Sequence, residues 1–471
     1  MKLKKLSALL VTLLLCVMIL PADVSAAQTK GIKLSRSSAS LTVGDTLKLT
    51  RTVTGIKNYT VQWSSSDKTV ATVSKGTVTA KKAGTATITA KVKGTNYKAS
   101  CKITVKAKSK DSDKDKTEKK SSDTTKKTSS GSAQDIVDKI TIGWNLGNTL
   151  DSSDCSWYGS NDVEYEMAWG NPKTTKAMIT AVKKAGFNTI RIPVSWGEHM
   201  NSDGKVNTAW MDRVQEVVDY AYDNDMYIIL NTHHDEGWIK FDEKNSEASI
   251  KKFTYLWKQI SARFKDYDQH LIFEGLNEPR TKGSAKEWNG GTSAERKILN
   301  SFYASFVKTV RDSGGNNKTR LLMLTTYGAN AGVEAMSDLE IPNDDMIAVS
   351  VHAYIPYFAA FDRNSKESTL TENGKNEINN MFKNIDKVLL SKGIPVIIDE
   401  FGSINKSNTK DRIEIAKYYL SVAEKYGVPC CWWDNGSNCS PDQGEGFGLL
   451  NRKTLEWFYP DLVKALTGSV K

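Results

Sequence analysis

Residues 271–279 read Leu-Ile-Phe-Glu-Gly-Leu-Asn-Glu-Pro, a short continuous apolar run followed closely by an amide and a carboxylate. An apolar run that does not alternate with polar residues predicts a strand buried on both faces, as in a parallel sheet. Eight such runs recur through the larger, C-terminal part of the chain: Ile140–Trp144, Thr189–Val194, Tyr227–Asn231, Leu271–Gly275, Leu321–Thr325, Ile347–Val351, Val396–Ile398 and Cys430–Trp433.

Helix-like patterns separate these runs, and Gly186 and Gly427 stand where a helix C-cap is expected. The patterns cover Thr174–Ala185, Trp210–Asn224, Ile250–Phe264, Glu295–Ser313, Glu377–Leu390 and Lys410–Lys425. Alternating strands and helices over residues 135–471 predict an α/β domain with the (β/α)8 fold, the TIM barrel. A doubly wound open sheet is the alternative, but no Gly-x-Gly-x-x-Gly follows the first predicted strand.

The N-terminal part has a different pattern. Residues 30–106 alternate apolar and polar positions in short bursts separated by glycines, which predicts a small all-β sandwich with Trp63 in its core. Residues 107–133 contain almost nothing apolar, so we expect a flexible, disordered linker.

The first 26 residues have the three-part pattern of a secretory signal peptide. Three lysines precede an apolar run, Leu6–Leu20, and small residues follow at 24–27. The run is shorter than the roughly 20 residues that span a bilayer. We therefore expect cleavage, export from a bacterial cell to the medium or cell surface, and no membrane span in the mature chain.

The net charge of +11 is unevenly distributed. Residues 1–134 hold 26 Lys or Arg against 8 Asp or Glu, whereas residues 135–471 hold 39 against 46. Because the larger domain is mildly acidic, nucleic acid is an improbable partner.

Side chains that do chemistry gather at the predicted strand ends, where TIM barrels place their active sites. They are Asn145, Arg191, His233, His234, Asn277, Glu278, His352, Tyr354, Glu400 and Trp433. Glu278 follows the fourth strand and Glu400 ends the seventh, so both carboxylates are expected at one mouth of the barrel. A pair of carboxylates across a gap is the arrangement that cleaves glycosidic bonds.

Seven motifs of residues 135–465 resemble, in order, those of the family 5 glycoside hydrolases, in particular their bacterial endoglucanase branch. They are Gly143-Trp-Asn-Leu-Gly-Asn-Thr149, Ile190-Arg-Ile-Pro-Val194, Asn231-Thr-His-His-Asp235, Phe273-Glu-Gly-Leu-Asn-Glu-Pro279, Val351-His-Ala-Tyr354, Ile398-Asp-Glu-Phe-Gly402 and Trp432-Trp-Asp-Asn-Gly436. The resemblance implies a retaining enzyme with Glu278 as general acid/base and Glu400 as nucleophile.

These roles set electrostatic requirements. Glu278 must begin protonated, so we expect low polarity and the charge of Glu400 to raise its pKa. Glu400 must stay ionised, and Arg191 and Tyr354 are the expected donors to it.

The remaining strand-end residues are expected to bind sugar. We expect Asn277 to donate to a 2-hydroxyl of the sugar. We expect His233, His234 and His352 to hydrogen-bond hydroxyls or carboxylates and not to bind a metal. Trp433 is expected to stack on a pyranose ring. Four other tryptophans lie on predicted loops or strand ends, where each is either a sugar platform or core: Trp157, Trp169, Trp196 and Trp238. No cofactor is expected.

Residues 30–106 resemble the bacterial Ig-like domain of group 2, which implies a seven-strand sandwich. The stretches that carry the resemblance are Leu41-Thr-Val-Gly-Asp-Thr46, Trp63-Ser-Ser-Ser-Asp67 and Gly84-Thr-Ala-Thr-Ile-Thr-Ala90. This domain could serve as a spacer, as a tether to the cell wall or as an accessory sugar-binding module, and the sequence does not choose among these roles.

Taken together, the sequence predicts a secreted, monomeric, retaining endo-β-1,4-glucanase, a cellulase whose substrate is a β-glucan polysaccharide. The same chemistry on xyloglucan, mixed-linkage β-glucan, xylan or mannan is the nearest alternative, and a non-catalytic carbohydrate adhesion protein is the alternative of another class. The sequence also leaves undecided whether a disulfide bridge joins Cys430 to Cys431 or Cys431 to Cys439, and whether the protein binds a structural calcium ion.

Overall fold

The computed structural model describes residues 30–34, 38–44, 46–49, 51–56, 59–106, 132–159 and 161–469. The predicted signal peptide, residues 1–26, and residues 107–131 of the predicted linker lie outside the described residues. The chain divides into two compact units at the boundary between Lys120 and Ser121. Among the described residues, no helix has both the length and the apolar composition of a membrane span.

The described part of the N-terminal unit contains nine strands in three small sheets. The strands are β1 (Gly31–Leu34), β2 (Ser38–Thr42), β3 (Thr46–Lys48), β4 (Arg51–Thr54), β5 (Val61–Ser65), β6 (Ala71–Ser74), β7 (Thr77–Ala80), β8 (Gly84–Val92) and β9 (Lys98–Lys106). Their order is β2-β9-β8-β5 in one sheet, β3-β7-β6 in the second and β1-β4 in the third. The all-β prediction is confirmed.

Alternation of side chains builds the core of this unit. On β8, Ala86, Ile88, Ala90 and Val92 are buried while Thr85 and Lys91 are exposed, as the period of two in a strand requires. Trp63 is half-buried and packs against this core at its margin.

Eight parallel strands form a closed barrel in the C-terminal unit, which confirms the predicted fold. They are β10 (Ile142–Asn145), β11 (Thr189–Ile192), β12 (Tyr227–Asn231), β13 (Leu271–Glu274), β14 (Leu322–Asn330), β15 (Ile347–His352), β16 (Val396–Phe401) and β17 (Cys430–Trp432). Each strand pairs with the next along the chain, and β17 pairs with β10 to close the barrel. All eight fall on the predicted apolar runs, with ends shifted by a few residues.

The described helices of this unit precede, connect and follow the barrel strands. They are α1 (Ala133–Val137), α2 (Lys176–Lys184), α3 (Thr208–Tyr222), α4 (Ser246–Phe264), α5 (Ser293–Asp312), α6 (Val333–Ser337), α7 (Tyr357–Ala360), α8 (Glu372–Val388), α9 (Thr409–Tyr426) and α10 (Pro460–Gly468). The six predicted helices are present, and α9 ends at Gly427 in the left-handed conformation. The sequence patterns missed α1, α6, α7 and α10, which are short.

Two apolar layers position the strand ends. Outward-facing strand residues such as Ile228 and Phe273 pack with Trp257 of α4 in the larger core. Inward-facing residues such as Ile229 and Met323 form a second cluster, which the side chains of α1 join. Ser132 caps α1, although the linker prediction had extended to residue 133.

Candidate active site

A cavity of about 1320 Å³ lies where the barrel strands end. It exceeds the roughly 300–1,000 Å³ of small-ligand pockets, so it can hold several sugar units. Its lining contains eight of the ten predicted site residues: His233, His234, Asn277, Glu278, His352, Tyr354, Glu400 and Trp433. The other two, Asn145 and Arg191, are fully buried and do not line the cavity.

Glu278 leaves the barrel four residues after β13, and the amide N–H of Asn277 donates to the carbonyl of Thr232 at 2.9 Å, which fixes this exit. Nδ1 of His352 lies 3.0 Å from Oε1 of Glu278, and Nη1 of Arg280 lies 3.4 Å from Oε2. Glu278 therefore meets two basic side chains at the cavity wall.

Glu400 lies in β16, with its carboxylate held by the two donors that the sequence predicted. Nη1 of Arg191 donates to Oε1 at 2.6 Å, and the hydroxyl of Tyr354 donates to Oε2 at 2.6 Å. Nδ1 of His352 is 3.5 Å from Oε2. Charge-assisted donors of this kind stabilise the ionised carboxylate and fix its orientation.

Glu278 and Glu400 share one small space. One oxygen of each and one ring nitrogen of His352 all lie within 4.8 Å of one another. The carboxyl groups of retaining glycosidases are about 5–5.5 Å apart, and those of inverting enzymes about 6.5–9.5 Å. The bound of 4.8 Å applies to the nearest oxygens of the two groups, and it fits the shorter of these two spacings.

An irregularity in β16 brings a third carboxylate, Asp399, to the same place. The register pairs Val351 with Ile398 and then His352 with Glu400, which leaves Asp399 as an extra residue between them. Such a bulge redirects side chains that would otherwise alternate. As a result Asp399 also contacts His352, with 3.4 Å between its Oδ1 and Nε2.

Arg191 joins the buried groups beneath the cavity. Its Nε and Nη2 donate to Glu274 at 2.7 and 2.8 Å, its Nε lies 3.2 Å from Asp399, and its Nη2 donates to Oδ1 of Asn277 at 2.7 Å. With Oδ1 of Asn277 engaged, its Nδ2 group is the donor left for a ligand.

Asn145 also supports Arg191 instead of facing the cavity. Its Oδ1 accepts from Nη1 of Arg191 at 3.0 Å, and its Nδ2 donates to the carbonyl of Asp399 at 2.8 Å. Asn145, which the sequence analysis expected to bind sugar, thus contacts Arg191 and does not line the cavity, and Arg191 is the expected donor to Glu400.

The charges in this cluster displace the pKa values. Burial alone would lower the pKa of His352, but Glu400 and Asp399 raise it to about 10. Burial opposes ionisation of Asp399, yet Arg191 and His352 lower its pKa to about 2. Burial raises the pKa of Glu274 to about 8, against the charge of Arg191.

Glu278 departs from the expectation. Burial would raise its pKa, but the hydrogen bond and charge of His352, and the charge of Arg280, lower it. The predicted raised pKa is therefore wrong for the substrate-free protein, because the prediction considered the charge of Glu400 and not the opposing charges of His352 and Arg280. The proton that Glu278 needs as an acid must come from its surroundings.

His233 presents a neutral ring with a defined tautomer. Oδ1 of Asn231 accepts from the amide of Val194 at 3.1 Å, so Nδ2 of Asn231 donates to Nδ1 of His233, also at 3.1 Å. Burial, with the charges of His234 and Arg191, lowers the pKa of His233 well below its usual value. The ring therefore carries its proton on Nε2 and can donate to a ligand.

Four residues around Glu278 form a second polar group. Nδ1 of His234 lies 3.7 Å from Glu236, and Nη1 of Arg280 lies 2.9 Å from the same carboxylate. The guanidinium of Arg280 lies over the ring of Trp288 at 4.3 Å. The sequence analysis missed Glu236, Arg280 and Trp288; the signal available was their place in the loops that follow β12 and β13.

Some of the tryptophans line the cavity, where a sugar ring could stack on them, and others do not. Trp433, Trp169 and Trp288 line the cavity, whereas Trp157 is 69% exposed and Trp196 is fully buried, with neither lining it. A Cβ atom at Gly147 would lie 2.7 Å from Trp433, so only glycine lets this ring take its position. Trp238 packs against the barrel core and donates to Asp235 at 2.8 Å.

Three groups of side chains among the described residues have metal-ligand spacing: Asp151 with His233 and His234, Glu274 with His352 and Asp399, and Glu278 with His352 and Glu400. Several of the atoms that could bind a metal already have hydrogen-bond partners. For instance, Asp151 accepts from the amides of Asn148 and Thr149, at 2.8 and 2.5 Å. Cys430, Cys431 and Cys439 are free thiols, so the structure contains neither bridge considered for them.

A TIM barrel with two carboxylates at retaining distance in an open, tryptophan-lined cavity defines a glycoside hydrolase. Residues 151–439 match the family described as Cellulase (glycosyl hydrolase family 5), and residues 28–103 match the Bacterial Ig-like domain (group 2). The chain belongs to glycosyl hydrolase family 5 and is an endo-β-1,4-glucanase.

Related proteins agree with this assignment. Endoglucanase A of Clostridium longisporum is 46% identical over 353 residues, which cover 72% of this chain and 66% of that protein. Endoglucanase 1 of Ruminococcus albus is 47% identical over 337 residues, covering 71% of this chain and 80% of that one.

Solved structures give the same result. A broad-specificity GH5-4 endoglucanase from Clostridium longisporum has a TM-score of 0.70 at 45% identity, covering 72% of this chain and 99% of that one. XEG5A, a xyloglucan-specific endo-β-1,4-glucanase from a metagenomic library, was solved with cellotriose; it has a TM-score of 0.68 at 46% identity, covering 71% of this chain and 98% of that one.

Proposed function

We propose that the chain hydrolyses internal β-1,4-glucosidic bonds by double displacement, with Glu400 as nucleophile and Glu278 as general acid/base. The observation that carries this proposal is the pair of carboxylates within 4.8 Å in one cavity. Only a short separation lets one carboxylate reach the anomeric carbon while the other reaches the glycosidic oxygen from the side.

In the first step, Glu400 attacks the anomeric carbon and Glu278 gives its proton to the departing oxygen. Arg191 and Tyr354 hold the two oxygens of Glu400, so the attacking lone pair is already directed when the sugar arrives. Asn277, with its Nδ2 group free to donate, is suited to the 2-hydroxyl, where a hydrogen bond strengthens in the transition state.

In the second step, water replaces the departed sugar and Glu278 removes its proton. Glu400 is now an ester without charge, so it no longer repels a proton-accepting carboxylate. The water attacks from the face that the leaving group occupied, and the product keeps the β configuration. Arg191 and Tyr354 then stabilise the carboxylate that Glu400 becomes on release.

The rest of the cavity is suited to a polymer. Trp433, Trp169 and Trp288 line the cavity and offer aromatic faces to pyranose rings. Asn380 and Asn384 of α8 and Asn330 add polar groups to the lining. A cavity of this volume with such polar groups supports branched β-glucan as a second substrate, and a related protein is itself described as xyloglucan-specific.

Two variants test the catalytic assignment. Glu400→Ala should abolish hydrolysis of a soluble β-glucan, and Glu278→Ala should lose at least about 10²–10⁴-fold. Added azide should restore turnover in Glu278→Ala and yield a β-glucosyl azide, because the azide takes the place of water on the glycosyl-enzyme. Near-normal rates in either variant would contradict the assignment.

The size of the products tests internal cleavage. Cellulose, xyloglucan, mixed-linkage β-glucan, xylan and mannan should be offered separately, and a fall in mean chain length before monomers appear supports an endo-acting enzyme. A carbohydrate adhesion protein would instead bind these polymers without shortening them.

We also propose that the chain acts outside the cell as a monomer. The support is the signal-peptide pattern of residues 1–26 together with a polymeric substrate. N-terminal sequencing of protein recovered from culture medium should begin near Ala27, and light scattering should give the mass of one chain.

A further inference from the structure

Asp399 is a buried carboxylate that the double displacement does not use. It is fully buried, and Ser350 donates to its Oδ1 at 2.6 Å. Nε2 of His352 is buried without a hydrogen-bond partner, and Asp399 is the carboxylate beside it, at 3.4 Å. On the opposite edge of the same ring, Nδ1 meets Glu278 at 3.0 Å. The three side chains thus form a line from the interior to the acid/base.

We propose that Asp399 and His352 form the proton reservoir of Glu278, a role that rests on the proposed function. In the substrate-free protein the proton lies on Nδ1 of His352. When sugar fills the cavity and excludes water, the Nδ1–H bond breaks, its electron pair stays on the ring, and an O–H bond forms on Glu278. His352, until then an imidazolium, becomes neutral and keeps its Nε2–H directed at Asp399.

Charge balance favours this internal transfer. Arg191 and His352 are surrounded by four carboxyl groups: Glu274, Glu278, Asp399 and Glu400. Moving one proton from His352 to Glu278 leaves the net charge of the cluster unchanged, so no ion has to cross the sugar-filled cavity. Removing water also favours the neutral pair over the ion pair.

The other charged groups that face His352 do not compete for this proton. Glu400 lies 3.5 Å from Nδ1 but is held by Arg191 and Tyr354. Glu274 accepts from Nε and Nη2 of Arg191, at 2.7 and 2.8 Å, so both of its oxygens are already engaged. His233 is neutral. Once water has been deprotonated in the second step, the proton on Glu278 returns to Nδ1 of His352 and the cycle closes.

The pH profile of kcat/KM tests the reservoir. Asp399→Asn keeps the shape of the side chain but removes the charge that holds the proton on His352. The high-pH limb, where the acid proton is lost, should therefore move down by about 1 pH unit or more. Asp203→Asn, an exposed change of the same kind, should leave the limb in place. A slower Asp399→Asn enzyme with an unmoved limb would overturn the proposal.

A measurement on the unaltered chain covers the case in which Asp399→Asn does not fold. The chain has five histidines, so ¹⁵N NMR of labelled histidine can follow His352 directly. It should be an imidazolium in the free protein and neutral with a proton on Nε2 when a thio-linked cello-oligosaccharide is bound. An imidazolium in both states refutes the reservoir alone, whereas near-normal hydrolysis by Glu278→Gln refutes the proposed function.

A separate observation concerns the N-terminal unit. Residues 30–106 contain 15 Lys or Arg and only 2 Asp. Lys91, Lys98, Lys102 and Lys106 are exposed on the outer face of the four-stranded sheet; we call this surface the lysine face. Between them stand hydroxyl side chains such as Thr89 and Ser100, and the described strands place no carboxylate on this face.

Two lysines of the lysine face lie where their charges destabilise the sheet. Lys91 and Lys98 are directly opposed on β8 and β9, and like charges in opposed positions destabilise a strand pair. None of the four lysines has an ion-pair partner among the described residues. Along β9 the spacing of four residues sets successive ammonium groups about 13 Å apart, at roughly 3.3 Å per residue.

We infer that the lysine face binds an acidic polysaccharide, a linear sugar chain that carries carboxylates. Ammonium groups pair with its carboxylates, and the serine and threonine hydroxyls hydrogen-bond its sugar hydroxyls. Such binding would hold the enzyme on a mixed wall material while its barrel cuts the neutral glucan. It is independent of the catalytic assignment.

Affinity electrophoresis of the full chain in gels containing polygalacturonate tests this inference. A variant with serine at the four lysines should bind at least tenfold more weakly. A control with serine at Lys251, Lys297, Lys383 and Lys417, which are exposed on the barrel unit, loses the same charge and should bind as the wild type does. Binding should weaken between 50 and 200 mM salt, at roughly the ionic strengths where surface charge is screened.

Three results would overturn this second inference. They are equal binding by the face variant and the wild type, no retardation of the wild type by polygalacturonate, and retardation by polyphosphate without retardation by polygalacturonate. The last would assign the face to a phosphate polymer.

Discussion

Asp399 and Glu400 are consecutive residues of β16, yet both carboxylates contact the same arginine, Arg191, at 3.2 and 2.6 Å. In a regular strand their side chains would point to opposite faces. The extra residue in the register between β15 and β16 removes this alternation. One strand thus supplies the proposed nucleophile and a second carboxylate that holds His352 from behind.

Tyr354→Phe should slow catalysis by weakening control of Glu400. The lost hydrogen bond, 2.6 Å long, joins a hydroxyl to a carboxylate, and such bonds are worth about 1.5–3 kcal/mol. We expect kcat to fall by about 10- to 100-fold with KM changed little. Tyr303→Phe is the matched control, because its buried hydroxyl donates to the carbonyl of Thr325 at 2.6 Å and not to a carboxylate. An unchanged kcat in Tyr354→Phe would remove Tyr354 from the proposed mechanism.

The barrel and the two central carboxylates could be predicted because they depend on local patterns. Each buried parallel strand needs its own continuous apolar run, and a strand end fixes the mouth of the barrel. Glu278 and Glu400 follow such runs directly, so their meeting required no knowledge of packing. The donors Arg191 and Tyr354 were predicted for the same reason.

The remaining site features depend on relations between distant segments. Asp399 reaches the site because the register between β15 and β16 shifts by one residue at this point. The sequence of one strand alone does not show how it pairs with its neighbour, so this contact could not be predicted. Trp288 reaches the cavity because Arg280 lies over its ring, and the depth of Asn145 follows from where β10 ends against β17. The contact of His352 with Glu278, which joins β15 to the loop after β13, likewise helps to lower the pKa of Glu278, against the predicted direction.

Trp288→Ala should weaken polymer binding without unfolding the protein. Trp288 is 52% exposed and lines the cavity, so its loss removes a ring face that sugar can stack on. We expect KM for a soluble β-glucan to rise several-fold while the melting temperature changes little. Trp157→Ala is the comparison, since Trp157 is 69% exposed but lies outside the cavity lining. Equal KM values in the two variants would show that Trp288 binds no sugar.

The stability of the barrel should depend on pH through His352. Its folded pKa of about 10 exceeds the usual 6.5, so its contribution is fully present below pH 6.5 and is lost as the pH rises toward 10. The melting temperature of His352→Gln should fall furthest below wild type at pH 6 and approach it near pH 10. For His199, whose pKa burial lowers to about 3, the corresponding difference should stay constant from about pH 7.5 to pH 10 and change only as the pH falls through 6.5, where the unfolded histidine gains a proton and the folded one does not. A constant difference for His352 as well would mean that the ring is neutral throughout.

Arg191→Lys should inactivate the enzyme although the charge is kept. Arg191 donates to Glu274 through two nitrogens while a third reaches Glu400, and a lysine ammonium lacks this planar geometry. The carboxylates then lose their fixed positions, so we expect kcat to drop by at least about 100-fold, together with a lower melting temperature. Arg213→Lys separates the two effects, because Arg213 is also buried and pairs with Glu166 through Nε and Nη2, away from the cavity. It should lower the melting temperature and leave kcat near the wild-type value. If both variants lost the same share of kcat, the effect of Arg191 would be one of stability, and its proposed direction of the nucleophile would be wrong.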